Sequence, residues 1–226
     1  MATLDVFSLA EKIDYTLLRP NATLTDFTAM LERARLYPFA SVCVPPSIVE
    51  FAKATLKSEK TPITTVIGFP LGFQTLPVKM LEAREALING ATELDIVMNI
   101  TYFKSGDYKY VRNELKAITA SVPEIKTKII IETSMLTKDE IKEAVELIAA
   151  SGARFVKTST GFGSASATTP EDIRLLKELC GSRLLIKASG GIKTLQNAMD
   201  MLNAGADRLG VSSAVEILAE LKGKAS

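Results

Sequence analysis

The 226-residue sequence contains no histidine. Without an imidazole, Ser–His and Cys–His nucleophile pairs, histidine general bases and histidine-held zinc are all excluded. Cysteine is scarce. Cys43 and Cys180 stand far apart among apolar or small neighbours, so neither a disulfide framework nor a Cys-rich metal site is indicated, and reduced thiols are expected. No run of about 18 apolar residues occurs that could span a bilayer. Met1–Asp5 lacks the basic and then apolar start of a leader, so a cytosolic protein is expected. Excess charge is also nearly absent, with 27 basic residues against 26 acidic. That balance leaves no electrostatic footprint for a nucleic-acid backbone, although a local patch for a phosphate ester remains allowed. Hydrophobic residues, by contrast, make up 47% of the chain, which excludes disorder and supplies one sizeable core or two small ones.

Short Val- and Ile-rich runs alternate with longer amphipathic stretches almost to the end of the chain. Strands are expected at Asp14–Leu18 (with Ile13), Ala40–Val44, Ile63–Phe69, Glu93–Met98, Lys128–Glu132, Arg154–Thr158, Arg183–Ala188 and Asp207–Val211. Between them, apolar residues recur at helical steps, as in Ile141, Ala144, Val145 and Ile148. Start signals accompany the helices: Thr25-Asp26, the capping box from Thr137 to Glu140, and Thr169 before Pro170. Gly90, Gly152 and Gly205 mark their ends, each just before a strand. Eight βα units with no linker between them predict an α/β fold, a single (β/α)8 TIM barrel over residues 1–226. An open doubly wound sheet is the competing arrangement, but Arg19-Pro20-Asn21 is not its glycine-rich first turn.

In such a barrel, reacting groups gather at the C-terminal ends of the strands. The polar residues there are Asp14 and Thr16, Cys43, Asp95 and Asn99, Glu132, Lys157 through Thr160, Lys187, and Ser212-Ser213. Lys157 and Lys187 emerge from aliphatic runs on consecutive strands, where lysine is rarely buried unless paired or functional. Two neighbouring ammonium groups disfavour each other, and a lysine freed of its proton attacks carbonyls to form a Schiff base. Asp95 is placed to move the proton. A structural ion-pair network at the barrel mouth is the alternative for all three. Asp14 is either a charge partner of one of these lysines or a cap. Cys43 reads as a packed, inert thiol, and Met80, Met98, Met199 and Met201 as core filling.

Gly190-Gly191 and Gly210, before Ser212-Ser213, fall after the last two strands, where barrel enzymes hold phosphates on backbone amides. Gly161, inside the loop from Thr158 to Gly163, can add amides, and Thr160 can reach a substrate hydroxyl. Each signal alone is weak, a turn or a polar loop sufficing to explain it.

The segments Val156-Lys157-Thr158-Ser159-Thr160-Gly161-Phe162, Ile186-Lys187-Ala188-Ser189-Gly190-Gly191-Ile192 and Glu93-Leu94-Asp95-Ile96-Val97-Met98-Asn99 together resemble the deoxyribose-phosphate aldolase family, class I aldolases of the barrel fold. The likeness continues through Ile13–Leu18, Gly68–Gly72, Lys128–Thr133 and Gly210–Ser213. The resemblance implies that Lys157 forms the Schiff base, that Lys187 perturbs it and that Asp95 relays protons. It also implies reversible cleavage of 2-deoxy-D-ribose 5-phosphate to acetaldehyde and D-glyceraldehyde 3-phosphate, with no cofactor and no metal. Phosphate then falls near Gly161, Gly190, Gly191, Lys193, Ser212 and Ser213, while Asp14, Thr16 and Lys128 match positions around the substrate. Members of the family suggest a homo-oligomer, dimer or tetramer, and a role in deoxynucleoside catabolism. The partner so implied is a small sugar phosphate, with no nucleic acid and no membrane. This chain departs from the family pattern at Tyr15 (usually histidine), Phe162 (lysine in some members), Lys193 (often arginine, which is bidentate) and Ser134 (often cysteine). Other lysine barrels that bind phosphate, transaldolase-like or thiazole-synthase-like, and a catalytically silent sugar-phosphate sensor are the competing readings.

Overall fold

A computed structural model describes residues 5–57, 61–162 and 167–224. The elements run α1 (Val6–Ala10), β1 (Ile13–Thr16), α2 (Leu24–Ala34), β2 (Ser41–Val44), α3 (Val49–Leu56), β3 (Ile63–Ile67), α4 (Leu76–Asn89), β4 (Glu93–Val97) and α5 (Ile100–Lys104). They continue with α6 (Tyr108–Ser121), β5 (Lys126–Ile130), α7 (Lys138–Ala149), β6 (Phe155–Lys157), α8 (Pro170–Cys180), β7 (Leu185–Ser189), α9 (Leu195–Ala204), β8 (Arg208–Val211) and α10 (Ala214–Lys224). Each strand pairs in parallel with its neighbours in sequence, and β8 pairs with β1 to close a (β/α)8 barrel. The open sheet is thereby excluded.

Local chemistry accounts for where the elements begin and end. Capping boxes start α7 at Thr137 with Glu140 and α8 at Thr169 with Asp172, the latter with Pro170 in the first turn. For α2 the cap is Thr23, not Thr25, because the reciprocal box needs the three-residue spacing to Asp26. Gly90 and Gly205 close α4 and α9 in the left-handed region, whereas α7 is capped by Ala150, two residues before Gly152. β3 stops at Ile67, short of the expected Phe69, where Gly68 turns at φ +63° and donates its N–H to Glu82.

The strand register separates two environments. One set, including Ile13, Val42, Leu94, Ile129, Val156, Ile186 and Leu209, alternates outward and joins the helices in the main hydrophobic core. Full burial of such a side chain contributes about 1.5–3 kcal/mol. The partners Asp14↔Ser41, Thr64↔Glu93, Asp95↔Lys128, Lys157↔Lys187 and Lys187↔Arg208 share the opposite face, toward the barrel axis. A period-two alternation thus puts the apolar residues against the helices and fills the barrel's centre with charge.

Candidate active site

Asp95 is the hub of that polar centre. Its Oδ2 accepts from Lys157 Nζ at 2.8 Å and from Lys187 Nζ at 2.7 Å, and its Oδ1 from Lys128 Nζ at 3.0 Å. All four side chains are buried. Lys187 also contacts Asp14 Oδ2 at 2.5 Å, and Asp14 Oδ1 accepts from Arg208 Nη1 and Ser41 Oγ, each at 2.7 Å. Lower in the barrel, Glu93 Oε2 lies 2.7 Å from Lys128 Nζ and 3.5 Å from Arg208 Nη1.

Among the described residues this centre holds three carboxylates, Asp14, Glu93 and Asp95, against four cationic side chains, Lys128, Lys157, Lys187 and Arg208. In a low-dielectric interior the lysine with the fewest anionic contacts has the least support for its charge. That lysine is Lys157, which meets a single carboxylate oxygen and shares it with Lys187.

The electrostatics agree in direction. Burial lowers the Lys157 amine and the Lys187 ammonium adds to the effect, so that Asp95 opposes both without cancelling them. Burial also disfavours charge on Lys187, but Asp14 and Asp95 outweigh it and hold that ammonium well above the ordinary lysine value. Burial pushes the Asp95 carboxyl up, yet Lys128, Lys157 and Lys187 together hold it well below the carboxylate range. Cys43, with its side chain on the same face, is driven up to about 11 by burial and remains a neutral thiol.

A cavity of about 350 Å³ opens above the charged cluster, lined in part by Thr16, Ser189 and Gly210. These residues stand one inward position beyond Asp14, Lys187 and Arg208 on their strands. Thr160, Gly161, Gly190, Gly191, Lys193 and Ser212 line it as well. Gly161, Gly190 and Gly191 have φ of +76°, +98° and +79°, which lets bare backbone face the opening. Thr16 Oγ1 donates to the Asp14 carbonyl, and Thr160 is tied through both N–H and Oγ1 to Glu132 Oε2. Ser213 is not on the lining; its carbonyl accepts from Ile217 at the start of α10. Gly163 lies outside the described residues. A second recess, of about 730 Å³, lies at the opposite end of the barrel near Lys53, Thr61 and Lys126, away from the strand ends where barrel chemistry takes place.

The departures from the family pattern fall in different places. Tyr15 alternates outward, its ring 5.1 Å from that of Phe39, and takes no part in the inner network. Phe162 lines the cavity and meets Phe69 edge-on at 5.1 Å, forming an apolar wall. Ser134 is exposed in a turn after β5, and the exposed Lys193 stands at the cavity rim.

Sequence reasoning passed over Ser41, Thr64, Glu93 and Arg208 as members of the inner network, and Arg19 on the cavity lining. The signal for two of them is the period of two: Glu93 precedes Asp95, and Arg208 precedes Gly210, by one full alternation.

Comparison with known proteins shows the family. Residues 8–220 match the DeoC/LacD family aldolase description. The chain is 45% identical over 216 residues to the deoxyribose-phosphate aldolase of Thermoanaerobacter sp. (strain X514), spanning 94% of this chain and 96% of that one. It is 46% identical over 212 residues to the enzyme of the same name from Dictyoglomus turgidum, again spanning 94% and 96%. Among solved structures, QR15, an aldolase, superposes with a TM-score of 0.92 at 40% identity, over 96% of this chain and 97% of that one. The deoxyribose phosphate aldolase of Aeropyrum pernix, described as a unique tetramer, does so with a TM-score of 0.86 at 32% identity, over 97% and 93%. With a buried lysine pair on one carboxylate, set beneath a glycine-lined cavity, this chain belongs to the DeoC/LacD family of aldolases.

Proposed function

We propose that the chain is a class I deoxyribose-phosphate aldolase in which Lys157 is the Schiff-base residue. The observation that carries this is the convergence of Lys157 and Lys187 on Asp95 Oδ2, which leaves one lysine amine beside one fixed ammonium. In the cleavage direction the Lys157 amine adds to C1 of open-chain 2-deoxyribose 5-phosphate. Loss of water gives an iminium that withdraws electrons from C2. The C3 hydroxyl gives up its proton through a water held by Asp95 and Lys187, the C2–C3 bond breaks, and glyceraldehyde 3-phosphate leaves. The enamine left on Lys157 is protonated at C2, and water then releases acetaldehyde and regenerates the amine.

Gly190, Gly191 and Lys193 supply amides and a cation for the phosphate in this reading. Gly161, whose N–H donates to Ser159 Oγ, turns the loop without a side chain, and Thr16 and Thr160 are hydroxyl-bearing side chains on the same lining. The whole chain acts as one domain in this reading, in the cytoplasm, as a homodimer or homotetramer. No described helix is long and apolar enough to cross a membrane. A Lys157→Ala variant tests the assignment: acetaldehyde release from 2-deoxyribose 5-phosphate should fall by about 10³-fold or more, and normal turnover by that variant contradicts it.

A further inference from the structure

Arg208 lies inside the barrel one inward position below Gly210, and its ionic contacts are with Asp14 and Glu93 of the charged cluster. Its guanidinium sits over the Phe155 ring, 5.6 Å from the centroid, with its side chain only 13% exposed. From there a continuous chain of contacts climbs the barrel. Arg208 Nη1 donates to Asp14 Oδ1 at 2.7 Å, and Asp14 Oδ2 meets Lys187 Nζ at 2.5 Å. Lys187 Nζ reaches Asp95 Oδ2 at 2.7 Å, and Lys157 Nζ meets that same oxygen at 2.8 Å.

Each link leaves the next group less freedom. Asp14 has two oxygens and is fully buried, and its Oδ1 is anchored by Arg208 and the Ser41 hydroxyl. Its Oδ2 faces two lysines, at 2.5 Å to Lys187 Nζ and 3.7 Å to Lys128 Nζ. Gly210, directly across from Asp14, leaves the space through which the Lys187 chain passes. We propose that Arg208 is a positioning residue for the aldol reaction: it fixes Asp14 from below, and Asp14 in turn holds the Lys187 ammonium against Asp95 and beside Lys157. The inference rests on Lys157 being the reacting amine.

The sign of the effect follows from the groups around Lys157. Facing it or its neighbours are Asp14 from β1, Cys43 from β2, Glu93 and Asp95 from β4, Lys128 from β5, Lys187 from β7 and Arg208 from β8. β3 contributes only the uncharged Thr64 there. Taking away the Arg208 cation removes positive charge from this enclosure and loosens Asp14, so the proton on Lys157 becomes harder to lose. The amine fraction at a given pH then drops, and the rise of kcat/KM with pH moves to higher pH.

The test compares Arg208→Met and Arg208→Lys in pH profiles of 2-deoxyribose 5-phosphate cleavage, with borohydride trapping of the wild-type protein alongside. Arg208→Gln, which keeps a donor toward Asp14 but not the charge, replaces Arg208→Met if the latter does not fold. The uncharged variant should show the limb displaced upward by about one pH unit, kcat near neutrality lowered about tenfold, and KM within about twofold of wild type. Arg208→Lys should return the limb to within about 0.3 pH unit of wild type. Coincident pH profiles for the wild type and the uncharged variant overturn the inference, as does a loss seen only in KM. If instead the wild type itself gives no adduct on Lys157, it is the aldolase reading beneath the inference that fails.

Discussion

A β-carbon at Gly210 would stand 3.0 Å from Lys187 Cε and 3.0 Å from Ser189 Oγ. That spacing is tighter than nearly all β-carbon contacts, so a side chain at position 210 requires the Lys187 chain and the Ser189 hydroxyl to give way by a few tenths of an ångström. Gly210→Ala is therefore expected to displace Lys187 from its position between Asp14 and Asp95. Turnover of 2-deoxyribose 5-phosphate should fall by roughly 10–100-fold, as small misplacements of reacting groups do, while thermal unfolding shows the fold retained. An unchanged kcat in a folded variant contradicts this account of Gly210.

Lys187 separates two effects that are easily confused, the charge it carries and the volume it fills. Lys187→Met keeps much of the volume and removes the ammonium that disfavours a proton on Lys157. The folded amine of Lys157 lies below its ordinary 10.5, lowered first by burial and then by Lys187. Removing Lys187 raises it, so activity that increases as Lys157 loses its proton should begin its rise roughly 1–3 pH units later. A pH profile of kcat/KM measures this directly, and a limb that stays in place or moves downward counts against it.

Lys193 is exposed at the cavity rim and presents a point charge. Its loss is expected to weaken holding of the phosphate without touching the reacting carbon. Lys193→Ala should raise KM for 2-deoxyribose 5-phosphate about five- to tenfold with kcat within about twofold. The same change should leave kinetics with unphosphorylated 2-deoxyribose unaffected. Equal losses on both sugars place the lysine's role elsewhere.

The end of β4 is pinned by a buried ion pair outside the site. Lys79 Nζ donates to Glu114 Oε1 and to the Val97 carbonyl, both at 2.9 Å, while Glu114 Oε2 accepts from Asn99 N at 3.0 Å. Both side chains are fully buried, so removing one leaves the other charge stranded. Lys79→Met is expected to cost about 3–5 kcal/mol in chemical denaturation. The double variant Lys79→Met with Glu114→Leu should recover part of that loss, and a single variant as stable as wild type contradicts the pairing.

Much of this was legible in the sequence because a barrel repeats one rule. Each of the eight expected apolar runs overlaps an observed strand, although the ends differ, as in β5 at Lys126–Ile130 where Lys128–Glu132 was expected. The two lysines and Asp95 stood out as charges at the ends of apolar stretches. The rest was hidden for physical reasons. Arg208 and Glu93 lie at the lower ends of their strands, among residues that read as ordinary polar flanks, and only the closed register brings them to Asp14 and Lys128. The division of labour between Lys157 and Lys187 followed from the family resemblance and not from spacing, since the physical difference between them is that Asp14 reaches one lysine and not the other. Thr23 was missed as a cap because Thr25 also precedes a helical run, and the reciprocal bond to Asp26 is what distinguishes them.

The measurement that bears most directly on the central claim is borohydride reduction in the presence of 2-deoxyribose 5-phosphate, followed by intact mass and peptide mapping. Reduction of an iminium fixes the substrate-derived carbon on the amine that formed it. The account expects a substrate-dependent mass increase located on Lys157 and on no other lysine, absent from Lys157→Ala. An unmodified protein, under conditions that trap a known lysine aldolase, or an adduct mapped to Lys187, contradicts it.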